Sequence, residues 1–68
     1  MNEHRVKLAE EGFLTISGAE SFTGMKRSTL YNLMQDGTLP YAKVGKARRI
    51  PKKALIDFMA GNLVMREE

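Results

Sequence analysis

Apolar residues recur at helical spacing in three short stretches of this chain and alternate with period two in a fourth, and their order sets the expected architecture. The opening is charge-rich, and Val6 and Leu8 are too few to anchor it, so residues 1–12 are expected to be a frayed helix or a flexible lead. Phe13-Leu14-Thr15-Ile16 brings the first apolar cluster. Ser17-Gly18-Ala19-Glu20 has capping-box spacing, while Thr15 competes as the N-cap of a helix beginning at Ile16; the sequence leaves both open. In either case a helix runs to about Phe22, and Ile16, Ala19 and Phe22 are expected to face the core. Gly24, in Thr23-Gly24-Met25, has no Cβ to oppose positive φ and marks a tight connector.

A second helix is predicted from near Arg27. On a helical wheel Leu30, Leu33 and Met34 gather on one side, Ser28, Asn32 and Gln35 point the opposite way, and Tyr31 lies on the flank. Gly37 ends this helix and Leu39-Pro40 prevents its resumption. From Tyr41 the period becomes two: Ala42 and Val44 share one side of a strand, Tyr41 and Lys43 the other. Gly45-Lys46-Ala47 is expected to turn the chain and Arg48-Arg49-Ile50 to return it. Pro51 suits the first position of a third helix, in which Leu55, Phe58 and Met59 form an apolar stripe ended by Gly61-Asn62. Leu63, Val64 and Met65 either fold back or stay exposed. Helix, turn, helix, hairpin, helix is the layout of a winged helix-turn-helix, a mainly α fold with a small β-hairpin. The expected organisation is a flexible N-terminal lead over 1–12, the winged domain over 13–62 and a short tail over 63–68.

Charge changes this picture from architecture to surface. Between Gly24 and Lys53 there are eight Lys or Arg against one acid, Asp36, which gives +7. The remainder holds three basic and seven acidic residues, or −4, so the overall +3 understates the polarity. A concentration of cations lets phosphates shed condensed counterions and supplies affinity that falls with salt. Lys43, Lys46, Arg48 and Arg49 stand within seven residues without an intervening acid, an arrangement that repels itself unless an anion arrives. Parity puts Arg48 on the side of Ile50 and Arg49 opposite, so one of the two is expected to lay its stem along the core. Lys52 and Lys53 occupy the first turn of the third helix, where the helix dipole disfavours cations, a mild penalty that a DNA-facing position would explain.

An exposed Ser-Asn-Gln helix face is by itself more often solvated than functional. Here Asn and Gln have the donor and acceptor pair that reads adenine, and Lys26 and Arg27 begin the same helix. Positioning and reading parts are thus both present. Tyr31 suits either the core edge or a phosphate hydroxyl contact.

Composition excludes more than it assigns. With 68 residues the chain makes one small domain, and without cysteine it has no disulfide, thiolate zinc site or cysteine nucleophile. No run is apolar enough for a signal peptide or membrane span, so the expected setting is cytoplasmic. The serines have no base partner, His4 lies in the unpatterned lead, and no phosphate-cradling glycine loop occurs. No catalytic residue, metal site or cofactor is therefore expected.

Phe13-Leu14-Thr15-Ile16, Thr23 through Tyr31, Asp36-Gly37-Thr38-Leu39-Pro40 and Lys43-Val44-Gly45 through Arg48-Arg49-Ile50-Pro51 together resemble the excisionase-like, MerR-related winged-helix DNA-binding domains, AlpA-type phage regulators included. The resemblance covers about residues 13 to 60. It implies that the helix matching Arg27 to Asp36 enters the major groove of double-stranded DNA and that the hairpin from Tyr41 to Ile50 is a wing on the backbone or minor groove. Taken with the charge and wheel patterns, the expected contacts are Lys26, Arg27, Ser28, Thr29, Tyr31, Asn32 and Gln35 on the helix and Lys43, Gly45, Lys46, Arg48 and Arg49 on the wing. Two residues depart from the pattern. The family usually has Ser where Lys26 stands, at the expected N-cap, and tends to carry Arg where Asn32 stands, so its base preference does not transfer.

The role implied is that of an excisionase, a directionality factor of a mobile element that bends attachment-site DNA and assists an integrase in a bacterial or phage setting, associated with the nucleoid. A transcription regulator of the same fold is the second reading. A protein-interaction module without DNA binding, its basic face meeting an acidic partner, is the third. No coiled-coil or apolar dimer stripe is evident, so a monomer in solution that binds DNA cooperatively is expected.

Overall fold

The computed structural model describes residues 3–65. Its elements in chain order are α1 (Glu3–Ala9), β1 (Phe13–Leu14), α2 (Ile16–Thr23), α3 (Arg27–Gln35), β2 (Ala42–Val44), β3 (Ala47–Pro51) and α4 (Lys52–Gly61). Four helices and a three-stranded antiparallel sheet in the order β1-β3-β2 make a winged helix-turn-helix.

The competition between caps resolves in favour of Thr15. Its backbone is extended, at φ −67 and ψ 167, and its Oγ1 accepts from the Gly18 N–H at 2.9 Å, which satisfies one of the orphan donors of α2. At the other end Gly24 takes φ 75 and donates its N–H to the Glu20 carbonyl at 2.8 Å, so the connector has the left-handed residue that only glycine adopts without strain. Thr23 ties the same turn down: its hydroxyl donates to the Ala19 carbonyl and accepts from the Met25 N–H.

The core is a cluster of Ile16 and Ala19 from α2, Leu30 and Met34 from α3, Leu39 after the helix, Ile50 from β3 and Leu55 from α4. Leu14, Met25, Tyr31, Leu33 and Phe58 pack against its edge. Two positions expected inside lie outside. Phe22 is 48% exposed because a spacing of three and then three again falls short of full turns at about 100° per residue, carrying it about 120° round from Ile16. Met59 is half out for a related reason. Ala54 and Leu55 are buried and Phe58 partly so, and the centre of that face lies about 90° from Met59.

The sheet corrects three further expectations. Phe13 and Leu14 form a strand, pairing with Pro51 and Ile50, rather than merely an apolar cluster. Pro51 is therefore the last residue of β3 and the N-cap of α4, with extended ψ 126, and Lys52 takes the first helical position. Proline is tolerated here because Lys52 bonds the Gly12 carbonyl, so the neighbouring Phe13–Pro51 pair is a non-hydrogen-bonded one and the ladder to β1 asks for no N–H from Pro51. In the hairpin Val44 pairs with Ala47, so Ala47 belongs to the strand and the turn is only Gly45-Lys46. Gly45 has φ 62 and Lys46 does not share the positive region, the pattern of a type II′ turn, whose twist suits a two-residue hairpin.

Of the two forms expected for the lead, the described part is the helix, α1, which lies against α4. Met1 and Asn2, and Arg66 to Glu68 of the expected tail, lie outside the described residues. Leu63, Val64 and Met65 are exposed.

Candidate nucleic-acid interface

Burial sorts the residues of α3 as its wheel dictates. Leu30 and Met34 are buried and Leu33 partly so, while Lys26, Ser28, Thr29, Asn32 and Gln35 are exposed and Tyr31 is intermediate. Aspartate and glutamate are absent from the helix, so its outer face offers hydroxyls and amides without a carboxylate to repel a phosphate. The helix stops where Gly37 takes φ 85 and Leu39 donates to the Leu33 carbonyl at 3.0 Å, burying its own side chain beneath the last turn. Asp36 closes this stop with its Oδ1 accepting from the Thr38 N–H at 2.9 Å. Hydrogen bonding by Thr38, through its side chain first and its backbone second, holds the Asp36 carboxyl below its ordinary value. The turn's anion is stabilising above the ordinary carboxylate range, and that contribution is lost as pH falls through the lowered value.

The helix start is exposed in a different sense. Lys26 is the N-cap, with an extended backbone and no side-chain hydrogen bond to the first turn, so the leading N–H groups of α3 meet solvent or an anion. Lys26→Ser is expected to restore the missing cap and add about 1 kcal/mol of stability, read as a melting temperature raised by roughly 4–8 °C. Thermal unfolding checks it.

Arg27 is not a free cation. Its Nε and Nη2 each lie 3.2 Å from Glu20 Oε1, and Nη2 donates to Ser17 Oγ at 3.2 Å. Ser17 and Glu20 stand one turn apart on α2, so the pair with capping-box spacing clasps the first residue of α3 instead of capping its own helix. At 56% side-chain exposure the pair adds little stability but fixes where the guanidinium points. Lys53 is paired as well, to Asp57 one turn along α4 at 3.2 Å, and Lys52 Nζ lies 5.4 Å from the centre of the Phe22 ring. These contacts offset the dipole penalty on both lysines without an appeal to DNA.

Among the described residues of the basic segment, carboxylates pair with Arg27 and Lys53, and Lys52 lies over the Phe22 ring; Lys26, Lys43, Lys46, Arg48 and Arg49 have no carboxylate partner. The hairpin arranges the last four. Register sets Lys43 directly across from Arg48 and Ala42 across from Arg49, so the two arginines lie on opposite faces. Arg48 is the one that turns inward. It is half-buried, with its guanidinium carbon 5.0 Å from the centre of the Tyr31 ring on α3 and 4.8 Å from that of Tyr41 at the hairpin root. Arg49 is exposed, and its Nη1 donates to the Arg48 carbonyl at 3.1 Å. Lys46 stands at the turn and Gly45 beside it.

The structure thus brings the residues singled out on α3 and on the wing into one body, joined through Arg48 and Tyr31, and holds Arg27 back against α2. Sequence reasoning gave Tyr41 only a place on a strand face and Glu20 only a capping-box role, and neither a part in this surface. Alternation could have found Tyr41, which shares a strand face with Lys43 and hence with Arg48. The spacing of Glu20 from Ser17 signalled a capping box, and nothing local to α2 marks the two as partners of Arg27.

Among the described residues no helix is long and apolar enough to cross a membrane, and no group of three or more His, Cys, Asp or Glu is placed to hold a metal ion. A family model described as a helix-turn-helix domain matches residues 13–63. No curated protein and no solved structure matches the chain.

Proposed function

This chain belongs to the helix-turn-helix domain family, and from that premise we propose that it is a sequence-specific DNA-binding protein acting as an excisionase of a mobile element. In this reading α3 enters the major groove, with Ser28, Thr29, Asn32 and Gln35 toward base edges, and Lys26, Lys43, Lys46 and Arg49 take phosphates. Arg27 reaches a phosphate from its clasp on α2. One observation carries the reading: an acid-free polar helix face and an unpaired basic hairpin belong to one body, linked by the contact of Arg48 with Tyr31. Family membership supports DNA binding. The excisionase role rests on the resemblance set out above.

Reading and anchoring are expected to separate by mutation. Asn32→Ala or Gln35→Ala should reduce discrimination between the preferred site and random duplex by about 1–3 kcal/mol, the worth of a bidentate base contact, whereas Lys46→Ala should weaken both targets alike. Affinities for both duplexes, at one salt concentration, measure this. Equal losses on both targets for Asn32 and Gln35 would remove the outer face of α3 as the reader.

Footprinting tests the role. A monomer with one recognition helix reads a short site, so several copies are expected to bind closely spaced repeats of the same direction cooperatively and bend them, beside an integrase. A preformed dimer protecting a lone palindrome at a promoter would make the chain a transcription regulator instead.

A further inference from the structure

We infer that Arg48 is a positioning residue, a strut between the two aromatic rings that sets the wing at a fixed angle to the recognition helix, and not a phosphate contact. The inference rests on the DNA-binding reading and deepens it by assigning site discrimination, rather than bulk affinity, to one cation of the wing.

Three observations converge on this. First, the guanidinium lies within cation–π range of two rings belonging to different elements, Tyr31 on α3 and Tyr41 at the start of the hairpin. These are the only two tyrosines of the chain. Second, strand register explains why the arginine sits there. Arg48 shares a strand face with Ile50, which is wholly buried, and lies across from Lys43, two residues after Tyr41 on the same face. On that face Ile50 is buried, Arg48 half-buried and its partner Lys43 exposed, so Arg48 is where the wing leaves the core. Third, Lys43 directly opposite is a like charge, which by itself would drive the guanidinium away. Two electron-rich ring faces offset that repulsion without requiring DNA.

The chemistry of the side chain makes the idea separable from phosphate binding. A guanidinium is planar and stacks on aromatic faces while remaining charged, whereas an ammonium is a strongly hydrated point charge. Lysine can therefore replace a phosphate-binding arginine in large part. It cannot replace a planar strut.

The test uses the full chain, with Arg48→Lys and Tyr41→Leu made singly and together. In the free protein, NMR should place the Arg48 Hδ and Nε–H resonances upfield of ordinary arginine values through the ring currents of both tyrosines. Tyr41→Leu should remove a large part of that shift. On DNA, Arg48→Lys is expected to lower discrimination between preferred and random duplex about tenfold while leaving the salt slope unchanged, because the charge is conserved. Tyr41→Leu should give the same loss, and the double variant no more than either single one. Unshifted Arg48 resonances in the free protein would overturn the proposal. So would an Arg48→Lys protein that discriminates like the parent, the behaviour of a phosphate contact. If Arg48→Lys does not fold, Tyr41→Leu carries the test alone, since a phosphate-bound Arg48 predicts no change in discrimination for it. A parent that binds no duplex at all would instead bring down the DNA-binding reading, and the wing-positioning role with it.

Discussion

Raising the salt from about 50 to about 200 mM is expected to weaken duplex binding by this chain about 500-fold. The figure follows from the cations available. Lys26, Lys43, Lys46 and Arg49 are without carboxylate partners among the described residues, and Arg27, though clasped by Glu20 and Ser17, keeps a side chain 56% exposed. Five phosphates neutralised at about 0.9 counterions each give a slope of log affinity against log salt near −4.5. Arg48 is left out of that sum because its guanidinium lies between two rings. Titration of a fluorescent duplex across a salt series measures the slope. Binding that is absent at low salt, or flat with salt, would turn the basic face over to an acidic protein partner and end the DNA reading.

The second large effect concerns the fold beneath the polar face of α3. Leu30 is fully buried where α3 meets α2 and the sheet, with Ile16, Ala19, Ile50 and Leu55 in the same cluster. Leu30→Ala removes buried methyl groups and leaves a cavity that helices pinned by the Gly24 turn cannot fully close, which costs about 2–5 kcal/mol. A domain of this size commands only about 3–5 kcal/mol from its core. The variant should therefore be largely unfolded at room temperature, whereas Asn32→Ala on the opposite face should melt within a few degrees of the parent. Far-ultraviolet circular dichroism and a urea titration of both variants decide it. A Leu30→Ala protein as stable as the parent would mean that the core is not organised around α3.

Most of the framework could be read without coordinates, and the reasons are physical. The period-3.6 pattern of Leu30, Leu33 and Met34 and the period-two pattern after Tyr41 are local signals, and glycine at 24, 37 and 45 marks places where the backbone needs positive φ. What was not legible is non-local. Two apolar residues, Phe13 and Leu14, cannot announce a strand, because their partners Pro51 and Ile50 lie at the far side of the fold. Phe22 and Met59 had plausible spacing, but a single wheel does not say where its apolar arc is centred; the neighbouring elements decide that. Arg27 looked like a free cation because Ser17 and Glu20 come to it from another helix. Parity reduced Arg48 and Arg49 to a choice between two, and the choice required knowing that Tyr31 and Tyr41 flank one face of the wing.

The same sheet bears on how the domain comes apart. The pairing of β2 with β3 joins neighbours in sequence, and a hairpin of this kind closes in about 1–10 μs. The pairing of β1 with β3 is of another sort, since the segment between Phe13 and Pro51 contains both α2 and α3. It acts as a buckle, reinforced where the Lys52 N–H donates to the Gly12 carbonyl at 2.9 Å. Closing it must repay the entropy of a long loop, so it completes with the core rather than ahead of it. While the buckle is shut neither enclosed helix has a free end from which to peel. Fraying that starts at the N-terminus therefore reaches α3 only after the β1–β3 pairing has opened.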